Sequence, residues 1–162
     1  EAKEPFLVNL SGPKYATFLD NRGQGTIVDD DMTPALAIND VTVVEGNSGA
    51  VNAIFSVTLT SPSGQNVTVN VATQDGTATA GVDYVAQAGT ITFPPGIISL
   101  PVTVPVFGDV LAEPNETFLV NLSGAVNPTV ADGQGQGAIT DDDGLPTISI
   151  NDATVMWTRK PW

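Results

Sequence analysis

Nine of the eleven carboxylates between residues 32 and 143 form a candidate set: Glu45, Asp75, Asp83, Asp109, Glu113, Glu116 and the run Asp141-Asp142-Asp143. No Lys or Arg occurs between residues 32 and 143 to balance them. The chain has no Cys and no His. That removes thiol and Ser-His chemistry, zinc and copper sites built on soft ligands, and any disulfide framework. Carboxylate oxygens arriving from several loops suit Ca2+, which takes roughly 6–8 oxygens in loose geometry, better than Mg2+ with its strict octahedron. Paired carboxylates also serve glycosidases. The aromatics that could stack a sugar are Phe55, Tyr84, Phe93, Phe107 and Phe118, mostly at core-phase positions, so no enzymatic activity is expected.

The overall balance is 18 acidic against 5 basic residues, a formal charge of −13. Nucleic acid is excluded as a partner, since phosphate contacts need clustered Lys and Arg, and anionic membrane surfaces are disfavoured in the same way. With 41% hydrophobic residues the chain can still bury a core. No apolar run approaches the ~20 residues of a membrane span, so no membrane insertion is expected.

The carboxylates matter only if the fold brings them together. Short stretches of apolar and polar alternation bounded by Gly, Pro, Asn and Asp read as half-buried strands. Strand A is expected at Leu36–Val44, B at Asn52–Leu59, C at Asn66–Gln74 and a short D at Tyr84–Gln87. Strand E covers Thr90–Phe93 and Ser99–Phe107 around a Pro94-Pro95-Gly96 turn, F is Thr117–Ser123 and G is Gly135–Asp141. Pro101 and Pro105 argue for an edge or a bulge in E. Seven such strands describe an all-β, immunoglobulin-like antiparallel sandwich of two sheets. If the strands alternate up and down, A, C, E and G end at one pole, and all nine carboxylates gather there. Like charges that close repel unless a cation intervenes. The plainer alternative is solvated loop residues, the usual state of charged side chains in turns. Asp75-Gly76 reads as turn chemistry, as does Asp132-Gly133 at the opposite pole.

The chain also repeats itself. Glu4-Pro-Phe-Leu-Val-Asn-Leu-Ser-Gly12 returns as Glu116-Thr-Phe-Leu-Val-Asn-Leu-Ser-Gly124, an offset of 116 − 4 = 112. Asp29–Asp31 return as Asp141–Asp143, and Pro34–Val43 as Pro146–Val155, at the same offset. One offset for three blocks predicts a tandem array of small domains. Residues 1–31 are then the last part of one unit, 32–143 a complete unit and 144–155 the start of another. The divergent tail 156–162 holds both tryptophans and carries no fold signal. The partial units cannot close a core alone, so they are expected to fray or to pair on exposed sheet edges. Asn66, Asn115 and Asn121 each open a glycosylation pattern; Asn115 and Asn121 read as structural.

In order and spacing, residues 34–143 resemble the Calx-beta domain family. The matching pieces are Val44-Glu45-Gly46, Asp75-Gly76-Thr77-Ala78, Gly81-Val82-Asp83-Tyr84, Thr90-Ile91-Thr92-Phe93, Asp109, Glu113-Pro114-Asn115-Glu116-Thr117-Phe118 and Gly137-Ala138-Ile139-Thr140-Asp141-Asp142-Asp143. The resemblance implies a cofactor, Ca2+, and the ligands Glu45, Asp83, Asp109, Glu113, Glu116, Asp141, Asp142 and Asp143. It departs from the family pattern where Gly108 and Val110 flank a single Asp109. The function expected is a Ca2+-binding structural or adhesive module of an extracellular or cell-surface repeat protein. Its partners would be neighbouring Calx-beta units and a cell-surface or carbohydrate ligand of the parent protein. Ca2+ at the pole would stiffen the short junction between units. The alternatives are a Ca2+ sensor in a membrane-linked protein and an ion-free spacer.

Overall fold

The structure, a computed structural model, describes residues 3–28, 30, 32–154 and 156. Asp29, Asp31, Val155 and residues 157–162 of the tail, named in the sequence reading, lie outside the described residues. The strands are β1 (Glu4–Asn9), β2 (Arg22–Ile27), β3 (Ala35–Ile38), β4 (Val41–Val44), β5 (Gly49–Leu59) and β6 (Val67–Asp75). They continue with β7 (Ala88–Phe93), β8 (Ser99–Gly108), β9 (Glu116–Val126), β10 (Thr129–Val130) and β11 (Gln134–Thr140).

Strands β3 to β11 make an immunoglobulin-like sandwich. One sheet runs β10-β3-β5-β8 and the other β4-β11-β9-β6-β7. Alternation decides what each strand buries. Val67, Val69 and Val71 of β6 point inward, as do Phe118, Val120 and Leu122 of β9 and Val102, Val104 and Val106 of β8. Leu36, Ile38, Phe55, Val57 and Leu59, in the same sheet as β8, pack with its valines against the side chains of β6 and β9. Phe118 is central: Tyr84 stacks on it at 4.6 Å and Phe55 meets it edge-on at 6.0 Å. Burying each such side chain contributes about 1.5–3 kcal/mol.

Three elements depart from the sequence expectation. Strand A is not continuous. Its first half, β3, pairs antiparallel with β5, while its second half, β4, pairs parallel with β11. The change of sheet falls at Asn39-Asp40, whose side chains take over bonds the ladder would have made. Asn39 Oδ1 accepts from the Ser56 N–H at 2.6 Å, and Asp40 Oδ1 from the Gln136 N–H at 2.7 Å. Strand E is likewise two strands in two sheets. The Pro94-Pro95-Gly96 turn carries the chain from β7, beside β6, across to β8, beside β5. Residues 84–87 form no strand. Tyr84 makes only isolated bridges to Ala80 and Val106, and β7 fills the place expected of D. The two misreadings cancel, so the up-down parity stands: β4, β6, β8 and β11 end at one pole. The two prolines of β8 fit its edge position, because proline cannot donate to a ladder.

The first residues add to no edge of the sandwich. β1 and β2 pair with each other as a separate two-stranded sheet. Phe6 lies opposite Gly25, Val8 opposite Gly23 and Glu4 opposite Ile27. Adding 112 to every number gives the pairing of β9 with β11: Phe118 with Gly137, Val120 with Gly135 and Glu116 with Ile139. In both places the glycine lets the Phe ring lie over it, where a Cβ would collide with the ring. Burial differs: Phe6 is 50% exposed and Phe118 fully buried. Residues 144–154 form no strand, and Ile148 and Ile150 are exposed.

Candidate metal centre

The carboxylates reach the pole from strand ends and from the loops that follow β6 and β8. The Glu45 N–H donates to the Thr140 carbonyl at 3.2 Å, extending the β4–β11 ladder by one residue. The Glu45 side chain is only 7% exposed. The chain then turns at Gly46, whose φ of +73° favours glycine. The Gly46 N–H donates to Asp142 Oδ1 at 3.0 Å, and Asn47 Nδ2 to Asp143 Oδ1 at 2.6 Å. Beyond β11, the Asp143 N–H donates to Asp141 Oδ1 at 3.1 Å. Asp141 is anchored to the loop before β9: its N–H donates to Asn115 Oδ1 at 3.1 Å, and its Oδ2 accepts from the Glu113 N–H at 3.0 Å.

Two groups of carboxylates result, each offering oxygens within 4.8 Å of one another. Glu45, Asp141 and Asp143 form an inner group, and Asp83, Glu113 and Glu116 an outer one. Six of the eight candidate ligands are therefore brought together. The other two stand beside them with an oxygen engaged by backbone. Asp142 accepts from Gly46, and Asp109 Oδ1 accepts from the Leu111 N–H at 2.6 Å. Asp75 belongs to neither group. Its Oδ1 accepts from the Tyr84 hydroxyl at 2.6 Å and from the Ala80 N–H at 2.9 Å, and both bonds hold its carboxyl below the usual range. Burial, then the hydrogen bond to Asp75 and its charge, push the Tyr84 phenol up to about 12.

The electrostatics are those of crowded, partly buried carboxylates. Burial, then the charges of Asp141, Asp109 and Glu113, push the Glu45 carboxyl up to about 7. Burial and the neighbouring Asp83 and Glu113 raise Glu116. Asp143 is raised by desolvation and by Asp142, Asp141 and Asp109, with Asn47 acting the other way. Glu113 acts on both Glu45 and Glu116, so the two groups belong to one pole. Glu45 Oε1 and Asp143 Oδ2 are buried without any hydrogen-bond partner. Buried polar atoms are nearly always satisfied, and a cation bound by the inner group would satisfy both. The donor set fits a hard divalent ion.

Sequence reasoning missed Asn47, Asn115 as an anchor of Asp141, and the Tyr84 hydroxyl. The Asn115 reading as structural agrees with its bond to Asp141. Asn47 gave one signal, its place directly after the Glu45-Gly46 turn. The opposite pole is as expected, with Asp132 closing a turn onto the Gln134 N–H at 3.2 Å.

Fold and site together define an all-β sandwich module with a carboxylate pole able to hold divalent cations. The sequence model of the Calx-beta domain matches residues 28–144, and the chain belongs to that family. Sodium/calcium exchanger 1 of Rattus norvegicus is 37% identical over 93 residues, which is 55% of this chain and 9% of the exchanger. Sodium/calcium exchanger Calx of Drosophila melanogaster is 41% identical over 54 residues, 33% of this chain and 6% of that protein. The chain thus spans less than a tenth of the length of these relatives. Among solved structures, the apo form of the Calx CBD1 domain superposes with a TM-score of 0.62 at 26% identity, covering 69% of this chain and 100% of that one. The calcium binding domain CBD12 of CALX1.1 superposes at 0.60 and 26% identity, covering 67% and 46%.

Proposed function

We propose that residues 32–143 form a Ca2+-binding Calx-beta module. The observation that carries this reading is the pair of buried, unpartnered oxygens, Glu45 Oε1 and Asp143 Oδ2, within one group of three carboxylates. Glu45, Asp141 and Asp143 would hold one ion, and Asp83, Glu113 and Glu116 a second. Asp109 and Asp142 supply negative charge beside them and are the remaining candidate ligands. The ion supplies the positive charge that the pole lacks. The chain's own residues place the oxygens, keep water from Glu45 and brace the loops.

The wider role we infer is structural or adhesive, in an extracellular or cell-surface repeat protein whose neighbouring Calx-beta units are its partners. A surface or carbohydrate ligand would belong to the parent protein. The 112-residue shift that superimposes the β1–β2 pairing on the β9–β11 pairing supports reading residues 1–31 as the end of a preceding unit. The ligands Asp141–Asp143 lie directly before the linker to residues 144–155, so a bound ion would stiffen that junction. A second reading is favoured by the relatives: in the sodium/calcium exchangers that share this domain, such a module would act as a Ca2+ sensor.

Calorimetric titration of Ca2+ into the chelator-treated full chain, with thermal melts, tests the proposal. Binding between roughly micromolar and sub-millimolar, with a raised melting temperature lost in Glu45→Gln, supports it. No heat and no shift at several-fold higher Ca2+ would leave an ion-free spacer. Small-angle scattering separates the two wider roles: narrowing of the distance distribution on adding Ca2+ supports a stiffened junction, and a discrete change of shape supports a sensor.

A further inference from the structure

Behind the outer carboxylate group stands a network whose bonds converge on Asp83. Tyr84 follows Asp83 directly and is buried, its ring stacked on Phe118 at 4.6 Å and 17°. A ring fixed in the core gives its hydroxyl a fixed position. That hydroxyl donates to Asp75 Oδ1 at 2.6 Å, and the same oxygen accepts from the Ala80 N–H at 2.9 Å. One carboxylate oxygen therefore ties the end of β6, the middle of the following loop and the residue beside Asp83.

The loop is pinned on its other sides as well. The Ala78 N–H donates to the Thr117 carbonyl at 2.9 Å, and the Thr117 N–H to Thr77 Oγ1 at 2.8 Å. Thr117 adjoins Glu116, so these bonds fix the loop against a second carboxylate of the outer group. The Asp83 N–H donates to the Thr79 carbonyl at 3.0 Å, the Thr79 N–H returns to Asp83 Oδ2 at 2.7 Å, and the Asp83 carbonyl accepts from the Phe107 N–H at 2.8 Å. Asp75 itself contributes no oxygen to either group.

We propose that the Tyr84–Asp75 hydrogen bond is a positioning device that sets Asp83 within the acidic pole for cation binding. This rests on the Ca2+-binding reading of the pole. Asp75 acts through the geometry of its oxygen and not through its charge, and Tyr84 acts through its hydroxyl and not through its ring alone.

The test is calorimetric titration of Ca2+ into the full chain and its variants, with melts in chelator. Glu45→Gln and Asp83→Asn assign the binding events to the inner and outer groups. Tyr84→Phe keeps the ring and removes the hydroxyl; Asp75→Ala removes the acceptor. Both are expected to weaken the Asp83-dependent event about tenfold, the lower end of the loss seen for partners that orient metal ligands, and to leave the Glu45-dependent event within about twofold. Asp75→Asn keeps an acceptor oxygen without the charge, and is expected to bind within about twofold of the parent chain. Tyr84→Phe added to Asp83→Asn is expected to cause no further loss, because the two act through one carboxylate.

Equal weakening of both events, additive losses, or an Asp75→Asn loss matching that of Asp75→Ala would overturn the assignment. Unchanged Ca2+ binding in Tyr84→Phe and Asp75→Ala would overturn it alone. A parent chain that takes up no Ca2+ overturns the binding reading, and this inference with it.

Discussion

Gly108 lies against the backbone of Glu45 so closely that a Cβ at position 108 would stand 2.5 Å from the Glu45 carbonyl oxygen. The end of β8 can approach the turn after β4 only because that position carries no side chain. The contact holds the start of the Asp109 loop beside the one buried acidic residue among those described.

Gly108→Ala must therefore push β8 and the Glu45-Gly46 turn apart. The expected loss is about 1–3 kcal/mol of stability, the range for overpacked sites, together with weaker Ca2+ binding. Chelator melts and Ca2+ titrations check it. An alanine variant indistinguishable in both would show that the close approach has no consequence.

Glu45→Gln should act with opposite signs in the two conditions. Without Ca2+, above about pH 7 where Glu45 is ionised, it removes a buried charge that neighbouring carboxylates repel, so the chelator-treated protein melts higher. With Ca2+ it loses a ligand. At about a hundred times the dissociation constant the parent chain gains about 2.7 kcal/mol from one bound ion, and the variant should gain little from the inner group. Parallel shifts under both conditions would contradict the site.

The pH dependence has a defined sign. Glu45 is raised from 4.5 to about 7 in the folded chain, so the folded state holds a proton that the unfolded state has released. Stability from this group is complete below about pH 4.5 and is lost as pH rises towards 7. Glu116 and Asp143 shift the same way. Asp75 is lowered and has the opposite sign, with its contribution lost as pH falls below its ordinary value of 3.8, outside this window. Ca2+-free melting temperatures should fall between pH 4.5 and 7, less so in Glu45→Gln, and added Ca2+ should restore them. A rise across that window in chelator would count against the buried Glu45.

Phe6 and Phe118 occupy equivalent positions with unequal burial. Phe118→Ala should destabilise the sandwich by about 3–5 kcal/mol. Phe6→Ala should stay within about 0.5 kcal/mol, as exposed substitutions do. Denaturant titration of both variants measures the difference.

Much of this fold was legible. The alternation Val67, Val69, Val71 and Phe118, Val120, Leu122 declares which faces are buried, and the ends of those strands place the acidic loops at one pole. The sheet change at Asn39-Asp40 left one sign in the sequence, a slip of the apolar alternation from Leu36 and Ile38 to Val41 and Val43, but a slip does not say which sheet receives the second half; the long-range partners Ser56 and Gln136 fix that. The division at Pro94-Pro95-Gly96 was visible as a turn, but a turn does not say which sheet receives the next strand. In the site, residue type and strand parity located the carboxylates. How they divide into inner and outer groups depends on contacts such as Asn115 with Asp141, 26 residues apart, which no local pattern encodes.

The split of the first strand has a mechanical consequence. β4 and β11 lie side by side and parallel, with Val41 opposite Gly137 and Val44 opposite Thr140. Tension along the chain enters this sandwich ahead of β3 and leaves after β11. It pulls the two adjacent strands in opposite directions along their own axes. Their rungs are then sheared together and cannot be opened one at a time, so this short parallel pair sets how hard the module can be pulled before it opens.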